Sequence, residues 1–203
     1  MDLEIVKLEH LPDNYTVHIA LFKDVKNAAF LHEQLLSRNS DFEYAFIDAS
    51  VSHSSQVVSR LQLLSAVFKA ANAAVNGALQ TPNVHSETVA SLSSSKNIAE
   101  AYRRFGISPT TKDLLVAKIT FPTEAQPQPA ASDSIAKHLH ESVQGIYLPV
   151  TDENIAAGTD MAKVRKYYKL NGISWLDTLD ENAPAKTQQI ESLVLGSMAL
   201  RGV

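Results

Sequence analysis

The chain has 203 residues, of which 45% are hydrophobic and 20% charged, and its formal net charge at pH 7 is -4. These values are typical of a folded domain and argue against a wholly disordered, collagen-like or coiled-coil protein. The length suits one compact domain spanning residues 1–203. Because the chain as a whole is acidic, contact with nucleic acid requires a local basic patch.

Cysteine is absent, which excludes disulfides, thiolate catalysis and zinc sites that need sulfur ligands. The first residues, MDLEIVKLEH, carry acidic side chains where a signal peptide has a cationic segment followed by an apolar one. No uncharged apolar stretch approaches the length that a membrane span needs. We therefore expect a soluble intracellular protein without a membrane partner.

The N-terminal part of the chain alternates strand and helix patterns. The predicted elements are a half-buried strand over 15–22, a helix over 24–38, a strand over 42–48 and a long alanine-rich helix over 54–79. His53 is expected at or near the cap of the long helix, and Gly77 near its end.

The C-terminal part is richer in helices. The predicted elements are a strand over 84–93, a helix over 96–108, a strand over 114–121, a helix over 134–143, an edge strand over 145–150, one or two helices over 153–170 and a last helix over 185–203. A flexible proline-rich surface loop is expected over 122–132 and a polar loop over 171–184. Because the strands alternate in polarity, we predict a single α+β domain with a mostly antiparallel or mixed sheet, helices packed on it and a C-terminal interface helix.

The stretch KNIAEAYRRFGIS, residues 96–108, carries the start and stop signals of a complete short helix. Asn97 is its predicted cap, Glu100 the capping-box partner, and Gly106 suits a left-handed residue after the last turn. One face of this helix carries Ile98, Ala101, Tyr102 and Phe105, and the other carries Arg103 and Arg104. Packing on a sheet explains the apolar face but leaves the two arginines unexplained.

Few patterns point to catalysis. No Walker loop or dinucleotide fingerprint is found, so no cofactor is expected. Ser134 and Lys137 match the serine–lysine spacing of some acyl-enzymes, while His138 and Glu141 fall on one helix face as two conceivable metal ligands. Both pairs lack the supporting residues of such sites, so we predict no catalytic residue and no metal. A hydrolase using Ser134 and Lys137 or the histidine cluster is kept as an alternative.

The segment MAKVRKYYKL, residues 161–170, combines cations with aromatic rings. The cations are Lys163, Arg165, Lys166 and Lys169, and the rings are Tyr167 and Tyr168. Single-stranded RNA is bound by this combination. The alternative is an inward stripe of Met161, Val164 and Tyr168 with solvated lysines opposite.

The last predicted helix carries apolar residues on more than one face. They are Ile190, Leu193, Val194, Leu195, Met198 and Leu200. An apolar surface wider than one sheet contact needs indicates either deep burial or a protein interface.

Three stretches together resemble one family. LFKDVKNA at 21–28, KNIAEAYRRFGIS at 96–108 and VRKYYKL at 164–170, closed by the C-terminal LRGV, are similar to the PRPK-binding (TPRKB-like) subunit of the KEOPS complex, also called EKC. The ending LRGV resembles the fungal members. The match runs in order across nearly the whole chain, although the loops at 122–132 and 171–184 look longer than the connections usual in that family.

The resemblance implies a non-enzymatic subunit of the machinery that places a threonylcarbamoyl group on the adenosine next to the tRNA anticodon. Such a subunit binds the N-terminal lobe of the small atypical kinase/ATPase of the complex, meets the other subunits indirectly and helps to hold the 3′ end of the tRNA. Fungal members are also tied to telomere maintenance and transcription. The implied location is the nucleus, including the telomeres of chromosomes, and the cytoplasm.

Resemblance and surface pattern together give two hypotheses about binding residues. The kinase contact is assigned to Ile190, Leu193, Val194 and Ser197 of the last helix, with Asn97 and Ile98 nearby. The RNA contact is assigned to Lys163, Arg165, Lys166, Lys169, Arg103 and Arg104. A hypothesis from another class is an autonomous RNA-binding domain, for which the basic tyrosine segment suffices.

Overall fold

The computed structural model describes residues 3–50, 55–124, 126–180 and 183–201. In these ranges five strands form one sheet: β1 Glu4–Val6, β2 Thr16–Lys23, β3 Ala45–Asp48, β4 Leu114–Thr120 and β5 Ile146–Leu148. The order is β1-β2-β4-β3, β5 also pairs with β2, and every one of these pairings is antiparallel. The predicted α+β fold with a mostly antiparallel sheet is confirmed.

Helices lie on both faces of the sheet. Those in the described ranges are α1 Ala28–Leu36, α2 Arg60–Val75, α3 Val84–Ser91, α4 Ile98–Phe105, α5 Ser132–Ser142, α6 Asp152–Ala156, α7 Met161–Tyr167, α8 Ser174–Asp177 and α9 Pro184–Ala199. Helices α1 and α5 pack on the face that carries Ala20 and Phe22, whereas α2, α3, α4, α7 and α9 contribute to the core on the face of Ile19 and Leu21. Strand β2 is therefore buried on both sides, and the prediction of a half-buried strand was wrong because the second helical layer covers even His18, which is 2% exposed.

Residues 84–91 form helix α3 and not the predicted strand. The side chain of Asn83 caps the helix by accepting a hydrogen bond from the backbone N–H of Ser86 at 2.8 Å. The polar positions that made the pattern alternate are not solvated, because the buried carboxylate of Glu87 accepts from the N–H of Thr81 at 2.9 Å and from its hydroxyl at 2.8 Å. Capping and tertiary hydrogen bonds thus override the alternation.

The long helix α2 begins at Arg60, six residues later than predicted, because Ser59 is its cap and accepts from the N–H of Gln62 at 3.0 Å. His53 lies outside the described residues. At the other end, Gly77 follows the helix with a φ of 63°, which confirms its predicted role as a stop.

Helix α4 forms as predicted, but Gly106 at its end is extended, with a φ of -75° and a ψ of 155°. The left-handed conformation predicted for Gly106 is wrong because the chain continues along the edge of β3, where the N–H of Ile107 donates to the carbonyl of Phe46 at 3.1 Å. Glycine is needed here for close approach, since a Cβ at this position would lie 2.7 Å from the carbonyl oxygen of Tyr102.

Among the remaining C-terminal segments, the expected loop at 171–184 differs from its prediction. Residues 153–170 form two helices, α6 and α7, as one of the two options predicted. The expected polar loop at 171–184 contains the short helix α8, which forms because Leu176 is fully buried in the core. The segment between β4 and α5, which includes most of residues 122–132, has no helix or strand among its described residues.

Candidate binding surfaces

Helices α4 and α7 are joined by Arg104 and Tyr167. The guanidinium of Arg104 lies 4.3 Å from the centroid of the Tyr167 ring, and its Nε donates to Oε1 of Glu100 at 2.9 Å. The same ring packs edge-on against Phe105, with the two centroids 5.7 Å apart. A cation–π contact and an i,i+4 ion pair therefore hold Arg104 against its neighbours, and it is a tie between the two helices.

Arg103 has a different environment from its neighbour. Its side chain is 73% exposed, and its guanidinium is 3.8 Å from Glu100, which Arg104 already engages at 2.9 Å. The pair that the sequence presents as equivalent is thus divided into one structural arginine and one solvent-facing arginine.

At the start of α4, Asn97 is the cap that the sequence predicts. Its Oδ1 accepts a hydrogen bond from the N–H of Glu100 at 3.0 Å, so this exposed side chain has a local structural task. Ile98 is half-buried on the adjoining face. Both residues were assigned to the kinase contact from the sequence.

The inner side of α7 belongs to the core. Tyr168 is 5% exposed, its hydroxyl donates to the carbonyl of Leu92 at 2.7 Å, and it accepts from Nε2 of Gln62 at 2.9 Å. Burial raises the pKa of Tyr168 well above its ordinary value, so the phenol is neutral. Met161, half-buried, and Val164, fully buried, pack in the same cluster, which is the inward stripe that the sequence left as an alternative.

The outer side of α7 carries most of the predicted cations. Lys163 and Lys166, together with Lys169 just beyond the helix, are exposed. Arg165 instead pairs with Asp177 of α8, and its side chain is only 17% exposed. We refer to Arg103, Lys163, Lys166 and Lys169 as the cationic ridge.

Helix α9, like α7, has one side in the core and one side facing outward. Its residues Ile190 and Val194 are 3% and 0% exposed and belong to the core that α2 also builds, so the pattern assigned to the kinase includes two internal residues. Leu193 and Ser197 are half-buried, the hydroxyl of Ser197 donating to the carbonyl of Leu193 at 2.9 Å, and Leu200 is 67% exposed. Because these three residues follow the i, i+4, i+7 spacing, they share one side, here termed the outer face of α9.

Three cations that the sequence analysis did not single out fix α9 in place. The side chain of Lys186 is buried and its Nζ donates to the carbonyl of Leu179 at 3.0 Å. Lys69 of α2 donates to the carbonyl of Met198 at 2.8 Å, and Arg201 donates to that of Ala90 in α3 at 2.5 Å. No local sequence signal marks them, because the carbonyls they bond belong to other segments that only the tertiary fold brings near.

The catalytic patterns considered from the sequence are not assembled. The hydroxyl of Ser134 donates to the carbonyl of Ala131 at 2.7 Å, while the ammonium of Lys137 is 3.9 Å from Glu141. The Nδ1 of His138 is 2.8 Å from the hydroxyl of Tyr44. Within the described residues no three histidine, aspartate or glutamate side chains are grouped so as to hold a metal ion, and no helix is long and apolar enough to cross a membrane.

The fold and these surfaces define an α+β protein in which the candidate sites are helix faces: a basic one on α4 and α7, and a largely apolar one on α9. Residues 22–202 match the family described as kinase binding protein CGI-121, and the chain belongs to this family. The resemblance noted in the sequence is confirmed.

Fungal relatives cover the whole chain or nearly all of it. The chain is 62% identical over 203 residues to the EKC/KEOPS complex subunit CGI121 of Gibberella zeae, with 100% of both chains covered. The identity to the subunit of the same name from Neurospora crassa is 45% over 215 residues, again with 100% of both chains covered. With the Schizosaccharomyces pombe subunit it is 28% over 186 residues, covering 92% of this chain and 93% of the relative.

Proposed function

We propose that the chain is a non-catalytic subunit of the KEOPS/EKC complex, that it binds the small atypical kinase/ATPase of that complex, and that it supports threonylcarbamoylation of tRNA adenosine. The observation that carries this proposal is similarity over the full length to EKC/KEOPS subunits of two fungi. The resemblance also supports a place in the nucleus, including telomeric chromatin, and in the cytoplasm, with the other subunits of the complex as indirect partners.

The kinase contact is proposed for the outer face of α9. Leu193 and Leu200 present apolar surface beside the small side chain of Ser197, whereas Ile190 and Val194 hold the helix on the core from within. Arg201, just after α9, bonds to α3, and α3 packs on α4, at whose start Asn97 and Ile98 lie. These two residues are proposed as a further part of the contact. Apolar side chains desolvated at the centre of a contact are the ones that contribute most to affinity.

Leu193→Glu tests the kinase contact, with Leu36→Glu as its matched control. Leu36 is a 71% exposed leucine of α1, which packs on the opposite face of the sheet. We expect co-purification of the kinase to fall about tenfold or more with Leu193→Glu, because a carboxylate would be desolvated in the contact, and to be unchanged with Leu36→Glu. Full kinase capture by a folded Leu193→Glu protein would remove α9 from the interface.

The RNA contact is proposed for the cationic ridge and concerns the 3′ end of tRNA. Lys166→Glu with Lys169→Glu should weaken tRNA binding and flatten its dependence on salt, because fewer counterions are released. An unchanged slope would remove this assignment. The autonomous RNA-binding domain remains a second candidate, favoured by the exposed lysines, and equal tRNA affinity with and without the rest of the complex would support it.

A further inference from the structure

We propose that a cleft beside the C-terminal end of β4 binds a small molecule in which one carboxylate is joined to an apolar body. The cleft has a volume of about 700 Å³, and its walls come from the end of β4, the segment before β3, the start of α3, helix α5 and the proline-rich loop. Among the described residues, none that lines it belongs to α4, α7, α8 or α9. The proposal therefore stands apart from the kinase and RNA contacts.

Lys118 of β4 supplies a half-buried cation to the cleft. Its Nζ donates to the carbonyl oxygen of Glu43 at 2.6 Å and lies 4.9 Å from the centroid of the Tyr44 ring. In the part of the chain that the structure describes, no carboxylate lies within 4.0 Å of this ammonium as an ion-pair partner. Burial lowers the pKa of Lys118, and the charge of Glu43 offsets this only in part. A half-buried cation without a counter-ion favours an anionic ligand.

Aromatic contacts hold the ammonium of Lys118 in position. Tyr44, on which it lies, is 5% exposed, and its ring is stacked on that of His138 with the centroids 5.7 Å apart. The Tyr44 hydroxyl lies 2.8 Å from Nδ1 of His138. Burial raises the pKa of Tyr44 to about 12, so the phenol is neutral and is no counter-ion for Lys118. A cation fixed in this way loses little conformational entropy when an anion binds.

Most of the remaining wall is apolar. Ile119 and Phe121 contribute from the end of β4 and just beyond it, Pro129 from the proline-rich loop and Ile135 from α5. The ring of Phe121 is itself held by stacking on Tyr15, with the centroids 4.5 Å apart. A concave site of this volume, with apolar walls and a few placed polar groups, is typical of small-molecule binding.

Two features of the cleft disfavour a larger partner. The exposed acidic residues Asp41 and Glu43 also line it and would repel a polyanion such as a nucleic acid. Strand β3 ends opposite Ala117, but the next part of the β4 edge is closed to an added peptide strand, because the N–H of Ile119 donates to Nε2 of His85 at 3.1 Å. A small ligand with a single negative charge satisfies both conditions.

The test uses the full chain, isotope-labelled for NMR, and three probes: benzoate, cinnamate and cinnamamide, which is the uncharged analogue of cinnamate. We expect both carboxylates to shift the amide signals of the residues that line the cleft. Cinnamate should bind at least about tenfold more tightly than cinnamamide, because only the carboxylate accepts a charge-assisted hydrogen bond from Lys118.

The variant arm compares Lys118→Met with Lys137→Met. The first removes the ammonium and should weaken cinnamate at least about tenfold while changing cinnamamide by less than about twofold. The second changes the net charge equally, at a lysine of α5 that is 75% exposed and does not line the cleft, and should leave both affinities unchanged. Ala130→Trp adds an indole to the wall without changing the charge, should weaken both probes, and serves as the test if Lys118→Met does not fold.

Four results would overturn the proposal. The first is the absence of shifts in the cleft with every probe at about 10 mM, well above the concentration at which a weak fragment binds. The second is equal affinity for cinnamate and cinnamamide, since it would show that no anion is recognised. The third is equal loss of cinnamate affinity with Lys137→Met, since total charge would then govern binding. The fourth is unchanged binding by Ala130→Trp, which would place the probes elsewhere.

Discussion

Helices α7 and α9 both carry the sequence pattern of a binding helix. The residues that make the pattern are mostly exposed on α7, whereas two of those on α9 are buried. The lysines selected on α7 remain in solvent, while Ile190 and Val194, selected on α9, lie inside the core. A charge is rarely buried without a partner, so a cation pattern indicates the solvent side of a helix. An apolar pattern indicates burial and does not say whether the same chain or a second protein covers it.

Substitution inside α9 should have the largest effect on stability. Ile190→Asp places a carboxylate where the side chain is 3% exposed, and we expect it to lower the free energy of unfolding by at least about 4 kcal/mol or to prevent folding. Leu200→Asp, at a position 67% exposed, should change it by less than about 0.5 kcal/mol. Urea unfolding measures both, and a stable Ile190→Asp protein that loses only the kinase would show that Ile190 is a surface residue.

The inner side of α7 should show a smaller effect that depends on pH. Tyr168→Phe removes the hydroxyl that bridges Gln62 and the carbonyl of Leu92, with an expected loss of about 1–3 kcal/mol. Because the pKa of Tyr168 is raised in the folded state above 10, its ordinary value, its contribution is complete below pH 10. Above that pH the unfolded phenol loses its proton first, so the contribution decreases as the pH rises.

This pH dependence is tested by measuring the urea midpoints of the native chain and of Tyr168→Phe below and above pH 10. The difference between the native chain and Tyr168→Phe should shrink as the pH rises beyond 10. Parallel pH profiles would mean that Tyr168 ionises equally in both states, contrary to its burial on the inner side of α7.

The two adjacent arginines of α4 should show the smallest effect. Arg104→Ala removes the contact with the Tyr167 ring and the bond to Glu100, and we expect a loss of about 1 kcal/mol in unfolding free energy. Arg103→Ala serves as the control and should be neutral, because its side chain is 73% exposed. Equal stabilities of the two variants would contradict the division between a structural and a solvent-facing arginine.

Elements with strong local signals were predictable from the sequence. The short helix α4 formed with Asn97 as its cap, because the cap and the apolar stripe lie within one segment. The capping-box role predicted for Glu100 was wrong, because its carboxylate binds Arg104 and the N–H of Asn97 donates to Oγ of Ser95 at 3.1 Å. Helix α3 was mistaken for a strand because its polar residues, such as Glu87, are buried by bonds to a distant turn and no longer mark a solvent face. The extended Gly106 could not be foreseen either, since the edge of β3 that it joins is remote in sequence.

The candidate surfaces were predictable only as sets of residues. The sequence placed Arg165 with the other cations, but it could not reveal the ion pair with Asp177 of α8, a helix that was expected to be loop. Nor could it separate Arg104 from Arg103, because the ring that holds Arg104 belongs to α7. Such pairings depend on tertiary contacts between segments, which one sequence does not specify.

The central claim is that two separate surfaces serve two partners, and a crossed binding measurement tests it most directly. Kinase capture and tRNA affinity are measured side by side for Leu193→Glu and for Lys166→Glu/Lys169→Glu. We expect the first variant to lose the kinase and keep tRNA affinity, and the second to bind tRNA about tenfold or more weakly at physiological salt and keep the kinase. Loss of both partners by either folded variant, or of neither, would contradict the claim.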